Sequence, residues 1–225
     1  MPGEEGPLIG DGYSVDVIVT DTDAAAAAGE EVHAICDRAT GETLKAEAPR
    51  LAALPGMKPG RPVEVSLTLL DDAGIRDLNR RYLDRDEPTD VLAFFMGETG
   101  GEEEGVGAAG RNPDGPAGSV PDGPAGPERP PEPVPYLLGD VIISLERARD
   151  QAADHARPYL EEVARLVAHG VLHLLGYTDE DEASAAHMRE KEDAVLLRLG
   201  FDLRLGFDPR LGFDPRLGFD PTGRG

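Results

Sequence analysis

The chain has 225 residues, 40% of them hydrophobic, which is enough for one sizeable core or at most two small ones. Its formal net charge of -22 favours solubility and argues against a broad nucleic-acid-binding face, though not against a local basic or metal-neutralised groove. A single cysteine, Cys36, rules out an internal disulfide and fits a reducing compartment. Within EEVHAICDRA it reads as a small buried hydrophobe rather than a reactive thiol. The opening MPGEEGPLIGDGY has neither a basic n-region nor an apolar h-region, and no stretch approaches the roughly 18 apolar residues of a membrane span. A cytoplasmic protein with no membrane partner is expected.

Residues 1–12 read as a flexible N-terminus. SVDVIVT (14–20) alternates as a strand, and the alanine-rich 24–39, with Val32, Ile35 and Cys36 at helical spacing, as a helix. A polar, proline-containing stretch follows to about Gly60. VEVSLTLL (63–70) is a strand with Val63, Val65, Leu67 and Leu69 on one face. In DDAGIRDLNRRYL, Asp71 or Asp72 caps a short helix whose apolar face carries Ile75, Leu78 and Tyr82. TDVLAFFM (89–96) is the next strand, entered through Pro88.

The composition then breaks. Residues 97–135 hold ten glycines and nine prolines, with eight acids against two arginines. Such a stretch cannot bury enough apolar surface to offset its ordering entropy, so it reads as a disordered insertion. Order resumes with a strand at 136–144 and a helix from Leu145 to about His155. A second helix from Pro158 carries Leu160, Val163, Leu166, Val167 and Val171 and ends near Gly176, because glycine accepts the left-handed conformation there. A last helix, roughly 181–198, starts in acids and packs Met188, Val195 and Leu196. The tail from 203 repeats a six-residue unit, RLGFDP or a close variant. It reads as a tandemly expanded helix end with little structure of its own, or as a short docking peptide using Phe207, Phe213 and Phe219. Residues 13–96 and 136–202 are thus expected to form a single domain.

The chemistry concentrates in HGVLHLLGYTD, residues 169–179. Histidines at i and i+4 share a helical face one turn apart, so both imidazoles can reach one ion. The glycines remove bulk where the chain must turn, letting Asp179 return toward the histidines. Two nitrogens and one carboxylate leave a fourth position for water, the pattern of a catalytic zinc site. His169, His173 and Asp179 are therefore the candidate ligands of one divalent ion, Zn²⁺ for preference. The residue after the first histidine is Gly170, where metalloproteases carry the glutamate that activates water. Any base must come from elsewhere, or from the ion's own acidification of water.

HGVLHLLGYTD, together with LNRRYLDRDEPTDVLAFF upstream and LLGDVIIS between them, resembles the YbeY family of bacterial rRNA maturation factors. The resemblance covers most of 14–202 outside the insertion. It implies a single α+β domain, zincin-like, with a small mixed sheet packed by helices and a zinc ion held by an HGxLHLxGYDH motif. It further implies a single-strand-specific, metal-dependent endoribonuclease that processes 16S rRNA near its 3′ end, serves 70S ribosome quality control and associates with ribosomal components; no DNA partner is implied. His169 and His173 match the first two ligands. Where the family reads GYDH this chain reads GYTD, so Asp179 stands at the third ligand and Thr178 before it. Glu180, Asp181 and Glu182 read as the start of the next helix.

A second departure falls upstream. The family's tyrosine is followed by a functional arginine, whereas here Tyr82 is followed by Leu83, which cannot bind phosphate. Arg85 in the loop, or Arg80 and Arg81 on the helix, are the candidates to supply that charge to RNA, since a guanidinium pairs phosphate oxygens in a bidentate manner. Arg85 also reads as an ordinary solvated charge. Asn79, Thr89 and Asp90 read as structural. Asp140, opening its strand in family fashion after Gly139, is a candidate catalytic acid or a structural hydrogen-bonding group. Two other activities fit the same residues: a ribosome-associated maturation factor with weak or no nuclease activity, and a peptide metallohydrolase.

Overall fold

The computed structural model describes residues 29–97 and 134–203, and the backbone of two strands at 8–9 and 13–21. Strands β1 (Leu8–Ile9), β2 (Tyr13–Asp21), β3 (Val63–Leu70), β4 (Val91–Phe95) and β5 (Tyr136–Ser144) form one sheet in the order β1-β2-β3-β5-β4. β2, β3 and β5 run parallel, while β1 and β4 pair antiparallel at its two ends. Parallel neighbours need a crossover. Between β2 and β3 it contains α1 (Gly29–Ala46) and the short α2 (Ala48–Ala52); α3 (Asp72–Leu83) links β3 to β4. After β5 come α4 (Leu145–Asp154), α5 (Tyr159–Leu174) and α6 (Glu182–Leu199). The architecture is α+β with a mixed sheet, as the sequence predicts.

The alternation of β3 decides which face is covered by what. Val63, Val65, Leu67 and Leu69 are fully buried against residues of α1, α5 and α6, with Tyr136, Val141 and Ile143 of β5 in the same core. On the opposite face Leu70, Leu92 and Ile142 meet Ile75 of α3 in a smaller cluster. The metal-helix candidate α5 and the arginine-bearing helix α3 therefore cover opposite faces of the sheet. Cys36 is fully buried in the larger core, as expected of a small hydrophobe.

Several boundaries differ from the sequence reading. The N-terminal stretch expected to be flexible contains β1, in which the apolar pair Leu8–Ile9 extends the sheet beside β2; its other residues lie outside those described. The helix expected at 24–39 is described from Gly29 to Ala46, residues 24–28 lying outside those described, and it continues past 39. Its last turns stay helical because Thr40, Gly41, Thr43 and Leu44 are buried, and the Thr43 hydroxyl donates to the Ala39 carbonyl at 2.7 Å. Pro49 then starts α2 in its first turn, where a missing N–H costs nothing. Asp71 caps α3 by accepting from the Gly74 N–H at 2.8 Å. Tyr82, expected on the buried face of α3, is 61% exposed. Asn79, Ile75 and Leu78 take the sheet-facing positions, and Tyr82 touches Phe94 only edge-on, with ring centroids 5.6 Å apart. The insertion at 98–133 and the repeats from 204 lie outside the described residues. Just before the repeats, Gly200 (φ 96°) closes α6 in a left-handed cap, and Phe201 returns into the core.

Candidate metal centre

α5 is apolar on its sheet-facing side and brings both histidines to its last two turns. Its contact with the sheet explains the glycine after the first histidine. A Cβ on Gly170 would run into Val141 Cγ1, with Val141 Cγ2 and Val91 Cγ2 each 3.2 Å away. Gly170 therefore serves close packing in mid-helix, and the turn falls at Gly176 alone, with φ of 79°. Gly139, in a register shift of β5, is bare for a related reason: a Cβ there would meet the Phe94 carbonyl oxygen and lie 2.8 Å from Leu174 Cδ2.

The turn after α5 is tied down from the other end of the chain. Arg50 donates from Nε to the Leu175 carbonyl (2.6 Å) and from Nη2 to that of Gly176 (2.9 Å), and its guanidinium lies 4.1 Å from the Tyr177 ring centre. The Tyr177 hydroxyl donates to Glu47 Oε2 at 2.6 Å, and Lys191 of α6 reaches Glu47 Oε1 at 2.8 Å. With Leu175, Gly176 and Tyr177 fixed, Asp179 returns over the histidines.

His169 Nε2 and His173 Nε2 stand 2.9 Å apart. Asp179 Oδ2 is 3.8 Å from the first and Asp179 Oδ1 3.9 Å from the second. An ion ligated tetrahedrally at about 2.0–2.1 Å has ligand–ligand edges of roughly 3.3–3.4 Å, which these separations straddle. The hydrogen bonds behind the rings are more telling. His173 Nδ1 lies 3.0 Å from the Tyr177 carbonyl, which can only accept, so Nδ1 carries the hydrogen. His169 Nδ1 lies 2.8 Å from Glu192 Oε1 and donates to that carboxylate likewise. In neutral rings both Nε2 atoms are then bare lone pairs aimed at one point, an arrangement that needs a proton or a cation between them. His169, His173 and Asp179 thus form a group able to hold a metal ion.

Without a metal ion, a proton fills that need. Burial works against a charge on His169, but the hydrogen bond and charge of Glu192, with Asp179 and Asp90 adding, raise its pKa above 6.5. Burial and then the charge on His169 lower that of His173. Of the two rings His169 is therefore the one that more readily takes an extra proton. A raised histidine pKa stabilises the fold fully below the unfolded value near 6.5, and this contribution is lost as pH rises through the folded value. A metal ion must displace the same proton. Metal affinity is accordingly expected to climb with pH and then level off once His169 is neutral, which chelator-competition titrations at stepped pH would check. A flat profile contradicts the extra proton on His169.

The other candidate residues are not gathered into this group. Asp140 is half-buried on β5 opposite Phe94, and alternation with Val141, which faces α5, puts it on the α3 face with Ile142. Arg80 is exposed and paired with Asp77 at 2.7 Å, and Arg81 and Arg85 are exposed beside it. The loop they lead into does come back to the metal side. Asn79 Nδ2 donates to the Glu87 carbonyl at 2.8 Å, and Asp90 accepts from the Val91 N–H (2.9 Å) and from Gln151 Nε2 (2.9 Å). The charge of Asp90 reaches His169. Glu47, Arg50, Lys191 and Glu192 were not evident from motif reading. Of these only Glu192 leaves a trace in the sequence: it interrupts the apolar stripe Met188, Val195, Leu196 and Leu199 at a position one turn from Met188.

An α+β sheet carrying an HxxxH helix and a returning carboxylate thus presents a group that could hold a metal ion. Residues 15–200 match the family model described as Endoribonuclease YbeY, and the chain belongs to that family. An Endoribonuclease YbeY of Pelotomaculum thermopropionicum is 37% identical over 187 residues, covering 81% of this chain and 96% of that one. That of Desulfitobacterium hafniense is 41% identical over 140 residues, 61% of this chain and 72% of its own. A solution structure of a Thermotoga maritima protein aligns over 80% of this chain and 87% of that one, at 18% identity and a TM-score of 0.41, too slight a likeness to support a conclusion.

Proposed function

We propose that this chain is a zinc-dependent endoribonuclease that hydrolyses single-stranded RNA, with the 3′ region of 16S rRNA and ribosome quality control in the cytoplasm as its setting. The observation that carries the reading is the convergence of two Nε2 lone pairs and the Asp179 carboxylate on one point, in a chain of the YbeY family. Among the described residues no helix is long and apolar enough to cross a membrane.

His169, His173 and Asp179 would hold one Zn²⁺ per chain. Bound there, the ion supplies Lewis-acid polarisation and makes water acidic enough to attack near neutral pH. The phosphodiester P–O bond to the leaving ribose oxygen breaks as the bond to the attacking oxygen forms. The chain's part is to hold the phosphate in line while charge grows on its oxygens, for which Arg85, in the loop that leads back to Asp90, is the candidate, with Arg80 and Arg81 of α3 supplying positive charge toward the RNA. The net charge of -22 slows approach to RNA, so these arginines must act locally. Asp140, on the far face of the sheet, fits a structural role better than a catalytic one.

The peptidase reading lacks its base, since the position that would carry it is packed against Val141 and Val91. The ribosome-associated factor keeps one observation in its favour, Leu83 at 49% exposure where the family has arginine. The two are separated by RNA cleavage. Replacing Arg80, Arg81 and Arg85 together by alanine is expected to leave zinc content intact and to slow cleavage of a single-stranded 16S 3′ RNA by on the order of 10²-fold; Leu83→Arg is expected to speed it. Wild-type rates in the triple variant would remove the arginines from the mechanism. A fully metallated wild type that cuts nothing would favour the ribosome-associated factor.

A further inference from the structure

One buried acid beside the metal centre has no part in the hydrolysis described above. Glu192 lies on α6 and is 5% exposed. Its Oε1 accepts from His169 Nδ1 at 2.8 Å, on the side of the ring away from His173 and Asp179, so it is not itself placed as a ligand. Its Oε2 lies 3.2 Å from Arg165 Nη1, and the same Nη1 reaches Asp193 Oδ1 at 2.9 Å. Arg165 precedes His169 by one turn of α5, so one helix supplies both the cation that holds the carboxylate and the ring the carboxylate holds. A buried carboxylate left without a cation is costly, and Arg165 meets that cost while leaving Oε1 free to accept.

We propose that Glu192, held by Arg165, is a positioning residue of the metal centre: by accepting the His169 Nδ1 hydrogen it fixes the ring and keeps its Nε2 lone pair turned toward His173 and Asp179. The inference rests on the metal-centre reading given above. Its rival is a purely structural ion pair that joins α5 to α6. The two differ in what their loss disturbs. A structural pair, once removed, lowers the unfolding midpoint and leaves affinity for metal in the folded protein unchanged. A positioning carboxylate, once neutralised, weakens metal binding in a chain that still folds.

The test uses the full-length chain stripped of metal. Zinc affinity is read by competition with a chromophoric chelator, the visible spectrum of the cobalt-loaded protein reports the ligand field, and thermal unfolding is followed without metal. Glu192→Gln keeps the size and the buried contacts of the side chain. It is expected to remain folded, to bind zinc about tenfold more weakly and to shift the cobalt bands; Glu192→Ala is expected to lose on the order of 10–100-fold. Should the alanine variant not fold, the isosteric glutamine variant decides alone. Unchanged zinc affinity and cobalt spectrum in Glu192→Gln would overturn the proposal while leaving the metal centre standing. A wild type that takes up no zinc would overturn the metal centre and this proposal with it.

Discussion

His173→Ala is expected to lose its metal ion and its RNA cleavage together while remaining folded. The side chain is 28% exposed at the end of α5, and the internal bonds it gives up are the one to the Tyr177 carbonyl and the contact with His169. The turn it supports stays anchored by Arg50 and Glu47, so the fold loses little. The chemistry loses much more. One nitrogen and one carboxylate remain, too few to retain an ion against dilution. Metal polarisation contributes several kcal/mol to such a barrier, and at about 1.4 kcal/mol per tenfold its loss slows cleavage by on the order of 10³-fold or more. Metal content, circular dichroism and cleavage are read on the same samples. A metal-free variant that cleaves at the wild-type rate would show that this centre is not the catalyst.

The second large effect concerns the glycine after the first histidine. Gly170→Ala gains as much as about 1 kcal/mol of helix propensity, but its methyl group has nowhere to go. Val141 is fully buried and Val91 packs against the same core, so the clash must move either α5 or the sheet. Overpacking of this kind costs about 1–3 kcal/mol, which outweighs the propensity gain and leaves a net destabilisation in urea unfolding. Gly170→Glu adds a buried charge without a partner and is expected not to accumulate as folded protein. Restoring the metalloprotease glutamate therefore destroys this fold instead of converting its activity. A stable Gly170→Glu variant that hydrolyses peptides would contradict both the packing argument and the choice against a peptidase.

Period and punctuation carried much of this architecture in the sequence. β3 shows the alternation its sequence predicts, β3 and β5 begin and end where expected, and α5 ends where Gly176 takes its left-handed conformation. These are local signals, set by one face against one core. α1 shows where such signals stop. GETLKA looks like a polar exit, yet it stays helical because tertiary packing buries Thr40, Thr43 and Leu44. Tyr82 errs the other way: it keeps helical register with Ile75 and Leu78 but is left exposed at the end of α3.

The site divides similarly. His169, His173 and Asp179 were legible because their spacing and the glycine turn are local features of eleven residues. Their supports were not. Arg50 and Glu47 meet the Leu175–Tyr177 turn across more than a hundred residues, with nothing in their own surroundings to mark them. The role first given to Gly170, bulk removed for a turn, belongs to Gly176; Gly170 is small because two valines from different strands press on it. Asp140 attracted notice through its motif, and only the pleat of β5 shows that it faces α3 and not α5.

On the proposed reading, one metal ion held by His169, His173 and Asp179 makes this chain cut single-stranded RNA. The most direct measurement strips the full-length protein of metal, adds zinc back in steps and follows cleavage of a labelled single-stranded RNA from the 16S 3′ region, with the same sequence as a duplex for comparison. No cleavage is expected without metal, with full activity at one equivalent per chain and an intact duplex throughout. Cleavage that is indifferent to zinc, or a chain carrying one equivalent that leaves the single strand uncut, would contradict this reading.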